Sequence, residues 1–268
     1  MVRVSAAGAD GDSGGLVLAL DAGSPMVSVA VGRGGEVLVA DAVALQRSST
    51  QLLALVAKVL RAAAAVPADL AGVVALAGPG SFTGLRVGLA TALGLVQGLG
   101  VRAQAVPTLM ALAAASEAPP GSLVIAAVDA LRGEWSAQAF RAGPVPEALG
   151  EMTLAPAGEL LQRLGPGIAA AARRTGRADR TDRAALADQA DPETPVIIGF
   201  GVSALRRGGD AAGGRTRFQE APPLAPAALR LAAALPPASW NAASLAAPIY
   251  SRPPATTAPK PRPESPPP

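Results

Sequence analysis

Hydrophobic and polar positions change period several times along the chain, and each change marks an element. "LVLALDAGS" (16–24) is a continuous apolar run ending in an acid and a turn, the pattern of a strand buried on both faces. "MVSVAVG" (26–32) alternates, with Val27, Val29 and Val31 on one side. Gly34 and Gly35 then turn the chain, and "EVLVADA" (36–42) alternates again. Residues 16–42 therefore predict three antiparallel strands joined by short turns. From Ser49 the period lengthens. Leu52, Leu53, Val56, Val59 and Leu60 recur at helical spacing, with Gln51, Lys58 and Arg61 elsewhere, predicting a helix over about 49–64. "LAGVVALA" (70–77) is a strand, 84–99 a second helix, "VRAQAV" (101–106) a strand and 108–116 a third helix.

A similar pattern then starts again. "SLVIAAVDA" (122–130) is a strand ending in Asp129 as the first ended in Asp21, and "EWSAQAF" (134–140) is its hairpin partner. "PVIIGFG" (195–201) is a later strand and 224–235 a helix. This repeat lies in the pattern rather than in identical residues, and it predicts two α/β subdomains with a cleft between them. The division it suggests is 16–106 and 107–250. Within the second, 165–194 is rich in Ala, Arg, Asp, Gly and Pro without a period and reads as an irregular insert. Residues 1–15 are polar and Gly-rich and lack the apolar stretch of a secretory signal, so they read as a disordered extension. Residues 251–268 read as a disordered tail, with proline at half of the positions from 253 on.

Composition narrows the chemistry. Half of the 268 residues are hydrophobic, enough for such a core. There is no cysteine and no histidine. Disulfides, thiolate and imidazole metal sites, Ser-His-Asp triads and Cys-His dyads are therefore excluded. The formal net charge is +3, with Lys58 and Lys260 the only lysines. Arg173, Arg174, Arg177, Arg180 and Arg183 are interspersed with Asp179 and Asp182, the pattern of a solvated segment rather than a phosphate track. The chain has seven aromatic side chains, a poor supply for base stacking. Residues 87–106 are apolar, but Arg86, Gln97 and Arg102 interrupt or flank them, which favours a buried helix in a soluble, cytoplasmic protein over a membrane span.

The stretch "GPGSFTGLRVGLATALGLVQG" looks at first like a phosphate loop. It misses both common spacings: no Lys follows where G-x-x-x-x-G-K-[S/T] needs one, and Gly84 comes one residue late for G-x-G-x-x-G. Pro79 also removes a backbone donor. Ser81 or Thr83 capping a helix is the favoured reading. Gly84 and Gly88, and Gly94 and Gly98, are four apart, so each pair shares a helix face where another backbone can come close. Asp21, Gly23 and Ser24, at the end of the first strand, resemble the first phosphate loop of the actin and hexokinase superfamily. That gives an alternative reading: an actin-like ATPase or sugar-kinase-like enzyme using Asp21 and Mg²⁺. Asp129 and Glu134 in "DALRGE" are a third candidate, with hairpin-closing charges as the favoured account.

The glycine-rich helix motif is similar to that of the TsaB (YeaZ) family, the non-catalytic relatives of the TsaD subunit that serves threonylcarbamoyladenosine synthesis on tRNA. "LALDAGSPMVSVAV", "QRSSTQLLALVAKVL", "PTLMALA", "VIAAVDALRGEWSAQAF" and "APIYSRP" resemble further family segments from about Leu16 to Arg252. The resemblance implies an actin-like, ribonuclease H-like (ASKHA) α/β fold of two duplicated subdomains. It implies a scaffold subunit without catalytic residues or a metal site. TsaD holds its metal with paired histidines, which this chain lacks. A TsaD-type subunit is the implied heterodimer partner, with a TsaE-type ATPase beside it and tRNA met only within the complex. A homodimer through the same helices is the alternative pairing. No cofactor is expected on this chain alone, with ATP or ADP and Mg²⁺ candidates at the partner interface. The implied contact surface is the first two helices, which here would use Leu52, Leu53, Val56, Val59, Leu60, Arg86 and Gly88. "RSST" stands where many members carry a His, and "DALRGE" shifts the Arg of the family's "DAR-x-GE" to Arg132.

Overall fold

The structure, a computed structural model, describes residues 2–3, 15–44, 48–165, 194–207 and 216–252. Residues 4–14, the heart of the 165–194 insert with its arginine cluster, and the tail from 253 on lie outside the described residues.

The first half of the chain builds β1 (Val2–Arg3), β2 (Leu16–Asp21), β3 (Met26–Arg33), β4 (Glu36–Ala44), α1 (Ser48–Ala62), β5 (Leu70–Leu76), α2 (Phe82–Leu99) and β6 (Arg102–Val106). The second half adds α3 (Thr108–Ala114), β7 (Leu123–Asp129), β8 (Glu134–Arg141), β9 (Glu147–Ala148), β10 (Thr153–Pro156), β11 (Val196–Gly199), α4 (Ser203–Arg207), β12 (Arg217–Glu220) and α5 (Ala225–Ala234). The strands form two sheets, ordered β1-β4-β3-β2-β5-β6 and β10-β8-β7-β11-β12, with β9 beside β8. Leaving β1 aside, both read third, second, first, fourth, fifth. In each, an antiparallel meander is followed by two parallel strands. The repeat seen in the pattern is thus a repeat of topology. At the N-terminus, Val2 and Arg3, within the expected extension, pair with Ala40 and Val39 of β4.

Side-chain periodicity explains the layers. β2 is buried at every residue because it is central and covered on both faces. α1 and α2 lie on one face of the first sheet, where Leu52, Val56, Val59 and Leu60 join Leu18, Val29, Val73 and Leu89 in one cluster. α5 comes late in the chain yet crosses back to lie over β2 to β6 on the other face, with Leu224, Leu229 and Leu231 buried. The buried hydroxyl of Ser28, on β3, accepts the first amide of α5 (Ala225) at 3.1 Å and fixes where it lands. α3 packs instead on β7, β8 and β11 and against α5. The helix that follows the last strand of each sheet lies against the other sheet. α3 and α5 thus share a core cluster with Phe140, Ile198, Val74 and Val106 of the two sheets.

Candidate functional site

β2, β5, β7 and β11 are parallel in pairs, and the loops leaving their carboxyl ends face one another across a cleft of about 710 Å³. Such a crevice at strand ends is where open α/β sheets bind ligands. Its walls include Gly23, Ser24 and Pro25 from the first loop and Pro79 to Thr83 from the second. Val128 to Leu131, Phe200, and Tyr250 to Arg252 complete it.

Asp21 is not part of those walls. Its side chain is 1% exposed, and its Oδ1 accepts the amides of Gly23 (3.0 Å) and Ser24 (3.2 Å), closing the turn from within. Its Oδ2 has no hydrogen-bond partner. Burial pushes the carboxyl up to about 6, against the opposing pull of hydrogen bonds from Ser24 and Gly23. The two glycine loops are joined to each other by backbone. The Ser81 amide donates to the Gly23 carbonyl at 2.8 Å, and a Cβ on Gly80 would meet that same oxygen at 2.7 Å. The Asp21 carboxylate thus serves its own turn, while Gly23 and Ser24 beside it line the cleft.

The second loop is a capped turn, as its residues predicted: Ser81 Oγ accepts the Gly84 amide at 3.3 Å, and Gly100 ends α2 in the left-handed region at φ 69°. The glycines of α2 divide into two kinds. A Cβ on Gly84 would lie 2.0 Å from the Ala22 carbonyl, and one on Gly88 would touch the Ala22 side chain at 3.4 Å. Gly94 and Gly98 face open space. Gly88 is thus a contact to this chain's own turn, a correction to its expected place on a partner surface. The same correction applies to Leu52, Val56, Val59 and Leu60, all 5% exposed or less, because the apolar stripe of α1 is taken by the sheet beneath it. Leu53, at 56%, is the member of that set that points outward.

Arg86 is exposed and held in place. Its guanidinium lies 3.8 Å over the Phe82 ring, and its Nε donates to the Tyr250 hydroxyl at 3.3 Å. Phe82 and Tyr250 are themselves stacked at 5.0 Å. Tyr250 belongs to a strap that joins the two halves. The Ile249 amide donates to Ala77 at 2.7 Å, Ser136 and Ser251 hydroxyls meet at 2.6 Å, and Arg252 is ion-paired with Glu134. Sequence reasoning missed this strap. It links residues more than a hundred positions apart; "APIYSRP" resembled a family segment, but the expected disordered tail began at Ser251, whereas Ser251 and Arg252 are bonded to Ser136 and Glu134. Asp129 closes its turn by accepting the Leu131 amide at 2.7 Å, whereas Glu134 is drawn to the strap. Leu131 and Arg132 hold positive φ (64° and 58°), and Leu131 stands 71% exposed on the cleft wall. No group of three or more His, Cys, Asp or Glu side chains able to hold a metal occurs among the described residues.

Two duplicated sheets of this order, facing across a cleft at their strand ends, define an actin-like (ASKHA) fold. Comparison with known proteins agrees. The solved structure of YeaZ from Pseudomonas aeruginosa superposes with a TM-score of 0.66 at 21% identity, covering 88% of this chain and 99% of that one. A second P. aeruginosa structure, described as similar to peptidase YeaZ, gives 0.66 at 23% identity, with 89% and 100% covered. A family profile described as "TsaD: tRNA N6-adenosine threonylcarbamoyltransferase" matches residues 39–211. The tRNA threonylcarbamoyladenosine biosynthesis protein TsaB of Escherichia coli K12 is 32% identical over 119 residues, 44% of this chain. The match spans about half (52%) of that curated relative. The chain belongs to the TsaD (Gcp-like) family, and the relatives it resembles here are TsaB and YeaZ proteins.

Proposed function

We propose that this chain is a non-catalytic scaffold subunit in the synthesis of threonylcarbamoyladenosine on tRNA, pairing with a TsaD-type catalytic subunit in the cytoplasm. The observation that carries the reading is α2. By length and composition the helix is apolar enough to cross a membrane, yet a third of it is buried in this chain. One face packs on β5 and β2, and Ala90, Gly94 and Gly98 are exposed, as is Leu53 on the neighbouring α1. An uncovered stretch of helix with two glycines four apart suits close packing against a helix of another subunit. The missing histidines support a supporting rather than a catalytic role, since TsaD-type metal binding depends on them. In this reading ATP or ADP with Mg²⁺ belongs at the interface with the partner, and tRNA and a TsaE-type ATPase are met only in the complex.

Reconstitution tests it. TsaD, TsaE and the threonylcarbamoyl-AMP synthase should modify tRNA only when this chain is added; full activity without it overturns the proposal. Leu53→Asp should abolish co-purification with the TsaD-type subunit while leaving the fold intact, because Leu53 makes no part of the core. Charges at Leu52 or Val56 cannot serve here, since both would be driven into the core.

A further inference from the structure

The strap is held at its two ends by contacts of different kinds. The chain that leads into it is fastened along β6, the edge strand of the first sheet. Pro237–Ser239 and Ala242–Ala246 form two short 3₁₀ turns there. Gln104 donates to the Ser239 hydroxyl at 2.7 Å, the Ala105 amide donates to the Ser244 hydroxyl at 3.1 Å, and the Arg102 guanidinium lies 4.2 Å over the Trp240 ring. The Ile249 amide then donates to the Ala77 carbonyl. A Cβ on Gly78 would lie 2.2 Å from the Ile249 carbonyl oxygen, so the strap runs directly on the backbone between β5 and α2. Tyr250 completes this end by its stack on Phe82. The next two residues cross over. Ser251 and Arg252 are bonded to Ser136 and Glu134, both on β8 of the second sheet. One end thus rests on a main-chain hydrogen bond, a ring stack and a pinned approach. The other rests on two side-chain contacts, and the Arg252 and Glu134 side chains are each about a third exposed. Exposed ion pairs of this kind are the weaker fastening.

The strap also has no slack. Tyr250 and Ser251 are consecutive, so the anchors on the two halves are one residue, about 3.8 Å, apart along the chain. A rotation that moves β8 away from Phe82 by more than that must break one end. The halves are joined as well by the apolar cluster that α3 and α5 share with both sheets. Apolar contacts have no direction, and packed helices can slide by small amounts. The strap's contacts are directional, and Tyr250, Ser251 and Arg252 stand on the cleft wall itself. We propose that the strap is a clasp that sets how far the cleft opens, and that it unfastens at Ser251 and Arg252 while Ile249 and Tyr250 stay in place. A ligand too large for the fastened cleft enters by releasing that end. The clasp operates within one chain and needs no partner subunit, so it stands apart from the scaffold reading.

The full chain has no cysteine, so a spin label can be placed on each wall without background. Thr83 and Leu131 are exposed on opposite halves of the cleft and take the labels as Thr83→Cys and Leu131→Cys. Their separation is read by pulsed dipolar electron paramagnetic resonance in the labelled chain, with and without strap substitutions. In Ser251→Ala/Arg252→Ala it should lengthen by about 4 Å or more, the span of one residue, and its distribution should broaden. Arg252→Ala alone should give a smaller shift in the same direction. That variant alters a side chain already a third exposed, which keeps the test valid if the double variant is destabilised. The charge swap Glu134→Arg/Arg252→Glu should return the wild-type separation. Arg163→Ala, which removes an exposed ion pair with Glu159 inside the second half, should leave the separation unchanged. Strap variants that melt earlier but keep the wild-type separation overturn the clasp and leave the strap a purely structural tie. Equal lengthening in Arg163→Ala overturns it too.

Discussion

Gly84 and Gly88, in the first half of α2, sit where the helix meets the turn after β2. Gly94 and Gly98, in its second half, look away from the chain. The spacing is identical in the two pairs, and so is the sequence signal. The causes differ. The first pair faces a carbonyl and a methyl of Ala22, which use the room for a side chain at Gly84 and leave just enough for one at Gly88. The second pair meets nothing within the described chain, and its cost to the helix is unexplained by internal packing. A four-residue glycine rhythm therefore says that something comes close to a helix face, without saying whether that something belongs to the same molecule.

Substitutions separate the two cases. The largest effect belongs to Gly84→Ala. Its Cβ would sit 2.0 Å from a backbone oxygen, so the turn or the helix must move, and a loss of about 3 kcal/mol in urea melts is expected. A loss under about 1 kcal/mol would mean that the contact with Ala22 is soft. The turn under that contact offers the next probe. Asp21 has its carboxyl raised from 3.8 to about 6, so its protonated form is favoured on folding. Stability is full below the unfolded value and is lost as pH rises through about 6, amounting to about 1.4 kcal/mol between pH 5 and pH 8. In Asp21→Asn that part of the pH dependence should vanish in thermal melts; an unchanged slope would place its origin in another group. Gly94→Ala should act in the opposite sense to Gly84→Ala. The isolated chain should gain about 0.5–1 kcal/mol of helix stability, while binding to a TsaD-type subunit weakens. A gain with no loss of binding would move the partner off this face. Gly88→Ala, at ordinary van der Waals distance from Ala22, should change stability by less than about 0.5 kcal/mol, marking the boundary between the two halves of the helix.

The first five central elements were legible because each is long and its period unmixed. β2 is one apolar run, β3 alternates over eight residues, and α1 holds its stripe for four turns. The short strands of the second sheet were not. β10 is "TLAP" and β12 is "RFQE", four residues each, too few for a period of two to stand out. α4, five residues, escaped for the same reason. At the site, the capping by Ser81 followed from local chemistry and could be read directly. The apolar stripe of α1 could be read too, but its assignment to a partner could not. A helix on a sheet uses its strongest stripe for its own core, so the outward face is marked by the residue that breaks the stripe, here Leu53. The strap through Tyr250, Ser251 and Arg252 depends on contacts between chain ends and middle, which no local pattern encodes.

The exchange of α3 and α5 between the sheets has a consequence for how the chain is born. One face of the first sheet stays bare until Leu224 to Ala234 have been made, more than a hundred residues after β6. On the ribosome the first hundred residues emerge with half of their core surface uncovered, and they can close only around a helix not yet translated. The first half therefore cannot complete itself before the second is made, and a nascent chain arrested before residue 224 should need a holdase that the finished protein does not.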